Sequence, residues 1–187
     1  SWSISSRTPS RLLEKRTPPM EERIDAMRRA REAGYIVRAR LSPIAPVKGW
    51  REEYRELLEE LFRKCRPDIV TLELLGWFDF EDLPQIVPAE LIDEEALADA
   101  RSAADALKGN RSGPFTEAFH QKVYRFCIET VRELSPGTPV AICHGTDETW
   151  GALGSLMGMS PDAYVCNCGG MSAPGGEVYE AMKESKD

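Results

Sequence analysis

The residues best suited to chemistry gather in a few places along this chain. Val165-Cys166-Asn167-Cys168-Gly169-Gly170 carries two thiols one residue apart. On an extended segment both can face one metal, and Cys143-His144 would complete an N/S set of four. That set points to zinc or an auxiliary iron–sulfur group clamping the C-terminal segment over nearby strand ends; the alternative is reduced thiols packed under a glycine loop. Hydroxyls recur at Ser3, Ser5 and Ser42, the last followed by Pro43-Ile44, and a run from Glu73 ends in the aromatic pair Trp77-Phe78. In a parallel sheet, ligands collect at the carboxyl ends of strands, and these residues fall at such ends. Ordinary turn hydroxyls are the competing explanation for the serines. Glu73 alternates with Leu72 and Leu74, so it points to the opposite face of its strand, where a carboxylate is costly unless paired. Arg38 or Arg40 on the neighbouring strand is the natural partner, as a structural ion pair or as part of a substrate- or cofactor-binding wall. His120 lies one residue off the apolar face of a helix and reads as a surface or interface histidine. Arg28-Arg29-Arg31 reads as a solvated helix face.

The elements that must position these groups follow from periodicity and punctuation. Trp2-Ser3-Ile4 reads as a short strand, and Leu12 and Leu13 dock a helical turn. Thr17-Pro18-Pro19 predicts a helix start with Thr17 as cap; Met20, Ile24 and Met27 form its apolar stripe and Gly34 stops it. A strand over Tyr35–Leu41 ends at Ser42-Pro43. Trp50, Tyr54, Leu57, Leu58, Leu61, Phe62 and Cys65 share one face of a helix, Pro67-Asp68 breaks it, and Ile69–Leu75 is a buried-type strand. Strands and helices alternating at this spacing predict crossovers and a parallel sheet. A proline-punctuated loop then leads to helices over Asp93–Leu107 and Phe115–Leu134, a short strand at Pro139–Cys143 and a helix at Asp147–Met157. Residues 1–160 therefore form the α/β body, and 161–187 a Cys/Gly-rich segment with a polar tail.

The composition restricts the function classes. The chain has 187 residues, 42% hydrophobic and 29% charged, which suits one folded domain with a sizeable core. No apolar run approaches the roughly 20 residues of a membrane span. Lys+Arg number 24 against 31 Asp+Glu, a net charge of −7, which removes an overall basic footprint for nucleic acid and leaves room only for a local basic groove. Ser1 to Arg16 lack the pattern of a signal peptide, and five cysteines, an odd number, read as reduced thiols; the expected location is cytoplasmic. The chain opens on a strand, Ser1-Trp2-Ser3-Ile4-Ser5, as though in the middle of a larger fold.

Ser3-Ile4-Ser5, Pro19-Met20-Glu21-Glu22-Arg23-Ile24, Ala33-Gly34-Tyr35, Ser42-Pro43-Ile44, and Gly49-Trp50 with Glu53-Tyr54-Arg55 closely resemble radical S-adenosylmethionine enzymes of the spore photoproduct lyase and DNA repair photolyase group. The order and ungapped spacing carry the likeness, which fades after Leu75. It implies a partial parallel (β/α) barrel, of which this chain would be the C-terminal half, with additional helices at its C-terminal end. It also implies S-adenosylmethionine as cofactor, contacted by the Ser3 hydroxyl and the backbone at Ser42, with Ser5, Pro43 and Ile44 beside them. A hydroxyl at a strand end can bond a ribose or a carboxylate, and a proline-containing bulge presents backbone groups to an adenine edge.

The family's [4Fe-4S] cluster is held by a Cys-x3-Cys-x2-Cys loop, and the five cysteines here do not supply that spacing. The resemblance therefore implies cluster ligands upstream, in a missing N-terminal half of the barrel, and a chain inactive alone. The reaction it implies is reductive cleavage of the cofactor to a 5′-deoxyadenosyl radical, then hydrogen abstraction from a substrate lined by Glu73, Trp77 and Arg40. Where the family shows a His-Arg pair, this chain has Trp77-Phe78, which removes a phosphate contact. The aromatics can stack on a base, at about 1–3 kcal/mol each, or line an apolar pocket. With the negative charge this argues against a simple thymine-dimer substrate, and nucleic acid stays one candidate among others. The alternatives are a non-catalytic α/β domain, a metal-stabilised binding module, or a truncated product without independent activity.

Overall fold

The computed structural model describes residues 1–158. Four strands, β1 (Trp2–Ile4), β2 (Arg38–Ile44), β3 (Ile69–Leu74) and β4 (Val140–Ile142), make one parallel sheet in sequential order. Parallel neighbours need long connections, and helices fill them. They are α1 (Arg7–Leu12) and α2 (Met20–Glu32) before β2, and α3 (Trp50–Lys64) before β3. After β3 come α4 (Leu83–Ile86), α5 (Glu94–Leu107) and α6 (Glu117–Leu134), and α7 (Asp147–Met157) follows β4. Helices α2, α3, α6 and α7 pack successively side by side.

The register sorts the side chains by face. Ile4, Leu41, Leu72 and Ile142 lie abreast across the four strands and are at most 1% exposed. They join a core with Met20, Ile24 and Met27 of α2, Leu57, Leu58 and Leu61 of α3, and Val123, Cys127 and Val131 of α6. Each such aliphatic side chain contributes about 1.5–3 kcal/mol on burial. The row between, Ser3, Arg40, Thr71 and Ala141, faces the other way, and Arg38, Glu73 and Cys143 extend it by the period of two. One face of the sheet is thus an aliphatic floor for helices, and the other carries the polar groups.

Local signals explain most boundaries. Helix α3 follows Gly49 in the left-handed region (φ 73°), has Glu52 and Glu53 in its first turn and Arg63 and Lys64 in its last, and so complements its dipole at both ends. Helices α5, α6 and α7 are capped by Asp93, Thr116 and Thr146.

Three expectations need correction. Thr17 does not cap α2: its hydroxyl donates to the Glu14 carbonyl at 2.8 Å, and Pro19 holds the cap position. The second strand runs Arg38–Ile44 rather than Tyr35–Leu41, because Tyr35 and Ile36 are exposed and have no ladder partner among the described residues, while the Asp68 carboxylate takes the Val37 N–H at 2.7 Å. At its far end the ladder skips Ser42 and Pro43 and resumes as Ile44 against Leu74. The loop with Pro84 and Pro88 contains a 3-10 turn at Phe80–Asp82 and the single turn of α4, where Pro84 is tolerated in the first turn.

Candidate functional site

The register skip at Ser42–Pro43 is a bulge, and it sits at the carboxyl end of β2 beside Glu73 of β3. Glu73 Oε2 accepts from Arg40 Nη2 at 3.1 Å and from the Ser42 hydroxyl. Arg40 also reaches Ser42 Oγ, at 3.4 Å. The side chains of Arg40 and Glu73 are 19% and 16% exposed, so the pair is largely desolvated. Of the two arginines the alternation allows, Arg40 is the one that meets Glu73.

The rest of the Ser42–Ile44 bulge is fastened from behind. The Pro43 carbonyl accepts from Ser5 Oγ at 3.2 Å and from Tyr54 Oη at 3.3 Å, and Tyr54 Oη accepts the Ala45 N–H at 2.9 Å. Burial pushes the Tyr54 phenol above its ordinary value. The Ile44 side chain is in the core and its carbonyl takes the Leu75 N–H at 2.9 Å. Ser5 is fully buried, with its hydroxyl also on the Glu14 carboxylate, so it braces the bulge rather than presenting itself. Ser3 is exposed on β1 abreast of Arg40, and its carbonyl accepts from Arg23 Nη1 at 3.2 Å.

Two clefts flank this arrangement. One of ≈ 460 Å³ opens past Pro43 and Leu75, walled by Pro9, Leu12, Leu13 and Ile86. The other, ≈ 650 Å³, lies against α2 and includes Trp2, Ser3 and Pro18. Ser3 and Pro43 thus line different clefts.

Beyond β3 the chain turns through Gly76 and Trp77. A Cβ on Gly76 would stand 2.9 Å from the Gly113 carbonyl oxygen, so only glycine permits this approach of the two loops. Trp77 N–H donates to the same oxygen at 3.1 Å. Trp77 is half-exposed and left-handed (φ 76°), as is His144 (φ 55°) after β4. A bulky residue in that region costs roughly 1–2 kcal/mol, and such strain gathers at functional sites. The two rings meet edge to face at 4.7 Å, and Arg111 lies 5.3 Å over the indole. His144 Nε2 in turn is 3.9 Å from Glu73 Oε1. Glu73, Cys143 and His144 bring their ligating atoms within 4.8 Å of one another.

Behind this loop pair runs a hydrogen-bonded relay. The Leu74 N–H donates to Tyr124 Oη at 3.0 Å, the Tyr124 hydroxyl donates to His120 Nδ1 at 3.4 Å, and His120 Nε2–H donates to the Ser112 carbonyl at 3.1 Å. Desolvation holds the His120 imidazole below its ordinary pKa, against the opposing pull of the Ser112 carbonyl and nearby Glu117 and Asp99, and burial raises the Tyr124 phenol. His120 is therefore no surface histidine: both ring nitrogens are engaged, and it ties the Arg111 loop to β3.

Arg40, Ser42, Glu73, Trp77, Cys143 and His144 come together at one end of the sheet; Ser3 lies on its β1 edge, and Ser5, Pro43 and Ile44 support it. Cys166 and Cys168 lie outside the described residues. Arg111 is the site residue that sequence reading misses, because it follows no strand and reaches Trp77 only through the Gly76–Gly113 contact.

No curated protein and no solved structure matches the chain. Among the described residues no helix is long and apolar enough to cross a membrane. Residues 1–78 match the family model described as spore photoproduct lyase, a stretch that spans β1, β2 and β3 with their bulge and ends at Phe78, so this part of the chain is similar to that family.

Proposed function

We propose that this chain forms the S-adenosylmethionine side and part of the substrate wall of a radical enzyme of the spore photoproduct lyase type. The observation that carries the reading is the Ser42–Pro43 bulge: it lies in the family-matched stretch, at a strand's carboxyl end, and beside the largely desolvated Arg40–Glu73 pair. The sequential order of four parallel strands under one layer of helices is the arrangement half a (β/α) barrel would have, and supports that architecture.

The residues present fit the cofactor. Ser3 offers an exposed hydroxyl, Ser42 stands in the bulge at the strand's end, and the ≈ 460 Å³ cleft past Pro43 has apolar walls suited to a nucleoside. They do not fit the iron–sulfur cluster, whose Cys-x3-Cys-x2-Cys spacing occurs nowhere in the 187 residues. When bound, S-adenosylmethionine supplies a 5′-deoxyadenosyl radical on reduction, and the reductant must be held by a cluster loop from outside this chain. This chain's own work is binding and orientation. Arg40 fixes the Glu73 carboxylate through Oε2, Ser5 and Tyr54 hold the bulge in place, and Trp77 presents an indole to the substrate. Arg111 over that indole restores a guanidinium near the position where the aromatic pair stands in place of His-Arg, so a stacked base with an adjacent phosphate fits the local chemistry.

The test is calorimetric titration of S-adenosylmethionine into a polypeptide that joins this chain to its cluster loop. Ser3→Ala and Ser42→Trp are each expected to weaken binding at least tenfold. Unchanged affinity in both variants would remove the assignment.

A further inference from the structure

We propose that Glu73, Cys143 and His144 form a binding site for a zinc-class divalent cation at the carboxyl ends of β3 and β4. The site adjoins the Arg40–Ser42 cluster of β2 through Glu73, and its other two ligands, Cys143 and His144, lie beyond the family-matched stretch.

The geometry starts from strand pairing. Leu72 pairs with Ile142, so the residues that follow, Glu73 and Cys143, stand abreast on the polar face. Successive residues of an extended strand point to opposite faces, which would send the next side chain away. The left-handed turn at His144 brings its ring back, and a thiol, an imidazole nitrogen and a carboxylate oxygen end within 4.8 Å of one another. Metal–ligand bonds of about 2.0–2.3 Å in a tetrahedron separate donor atoms by roughly 3.3–3.8 Å. The three must therefore close by about 1 Å, and His144, with 57% of its side chain exposed, has the freedom to do so.

The carboxylate is already oriented for the task. Arg40 and Ser42 hold Oε2, while Oε1 faces His144 Nε2. This is how outer-sphere hydrogen bonds set a metal-ligating carboxylate. A thiolate with an imidazole selects zinc-class ions over magnesium or calcium, which prefer all-oxygen shells. The two anionic ligands offset the charge of the ion itself. Binding releases the Cys143 thiol proton to solvent, so one carboxylate and one thiolate face the dication and the Arg40 guanidinium. Three protein ligands leave a fourth position for water or another donor.

The test uses the 187-residue chain, stripped with chelator and titrated anaerobically with Co²⁺ and then Zn²⁺. The expected result is one equivalent bound, with a thiolate-to-cobalt charge-transfer band that disappears in Cys143→Ser. His144→Gly and Glu73→Gln should each weaken Zn²⁺ binding at least tenfold, and Cys65→Ser, buried elsewhere, should leave it unchanged. His144→Gly removes the imidazole at an exposed position and relieves the left-handed backbone, so it stays informative if Cys143→Ser fails to fold. No bound metal would overturn the proposal. So would a Zn²⁺ affinity that survives both His144→Gly and Glu73→Gln, whatever Cys143→Ser does. No S-adenosylmethionine is present, so either outcome leaves the cofactor assignment standing or falling on its own titration.

Discussion

Replacing Arg40 with methionine removes the charge that faces Glu73 while keeping most of the side chain's apolar length. At 3.1 Å and an effective dielectric of about 20, the gross attraction is roughly 5 kcal/mol. Desolvation of both ions offsets most of it. Exposed pairs are worth about 0–1 kcal/mol, whereas truncating one partner of a fully buried pair costs about 3–5 kcal/mol. With 19% and 16% of the side chains exposed, this pair stands nearer the buried limit. Arg40→Met should therefore cost about 2–3 kcal/mol, or roughly 5–10 °C in Tm for a chain of this size. Glu73→Gln should cost about 1–2 kcal/mol, because its carbonyl oxygen still accepts from Arg40 and Ser42. The double variant should recover about 1–2 kcal/mol of the summed losses. Urea unfolding of the four proteins at neutral pH and low salt, analysed as a double-mutant cycle, measures this coupling. A coupling below about 0.5 kcal/mol would show that the pair does not organise this end of the sheet, and the orientation argument for Glu73 would fail with it.

The other expectations concern the relay and the cofactor. Tyr124→Phe leaves the buried Leu74 N–H without its acceptor and should cost about 1–3 kcal/mol in urea unfolding. His120 titrates below its ordinary 6.5 in the folded protein, so below about pH 6.5 the unfolded chain binds a proton that the folded chain does not. Stability should be full above that pH and fall toward pH 5.5, with a slope of up to about 1.4 kcal/mol per pH unit, and His120→Gln should flatten the profile. Calorimetry should find S-adenosylmethionine binding weakened in both Ser3→Ala and Ser42→Trp.

What the sequence reveals divides by the range of the contacts involved. Helix α3 is legible because its buried face is written in one window, from Trp50 through Phe62. Helix α7 spans Asp147–Met157, as the sequence reading expects. The Arg40–Glu73 pair is legible too, since alternation puts Glu73 on the polar face and leaves two arginines on the adjoining strand. The start of β2 is not. Tyr35 and Ile36 have strand-like side chains, but pairing begins where Asp68 and β3 supply partners, far along the chain. His120 looks peripheral on its helix because the groups that enclose it, Tyr124 and the Ser112 carbonyl, belong to the helix interior and to a loop. Cys143 and His144 are recognisable as donors, yet Glu73 as their companion emerges only from the β3–β4 register. Arg111 over Trp77 depends on two glycines that let separate loops touch, which no local pattern records.

The most direct test of the central claim is 5′-deoxyadenosine formation by a polypeptide that joins this chain to a Cys-x3-Cys-x2-Cys loop, reconstituted anaerobically with iron, sulfide and reductant. The account predicts 5′-deoxyadenosine from the unaltered protein and at least tenfold less from Ser42→Trp at limiting S-adenosylmethionine. Formation at the same rate in both, or no formation with the cluster fully loaded, would contradict it.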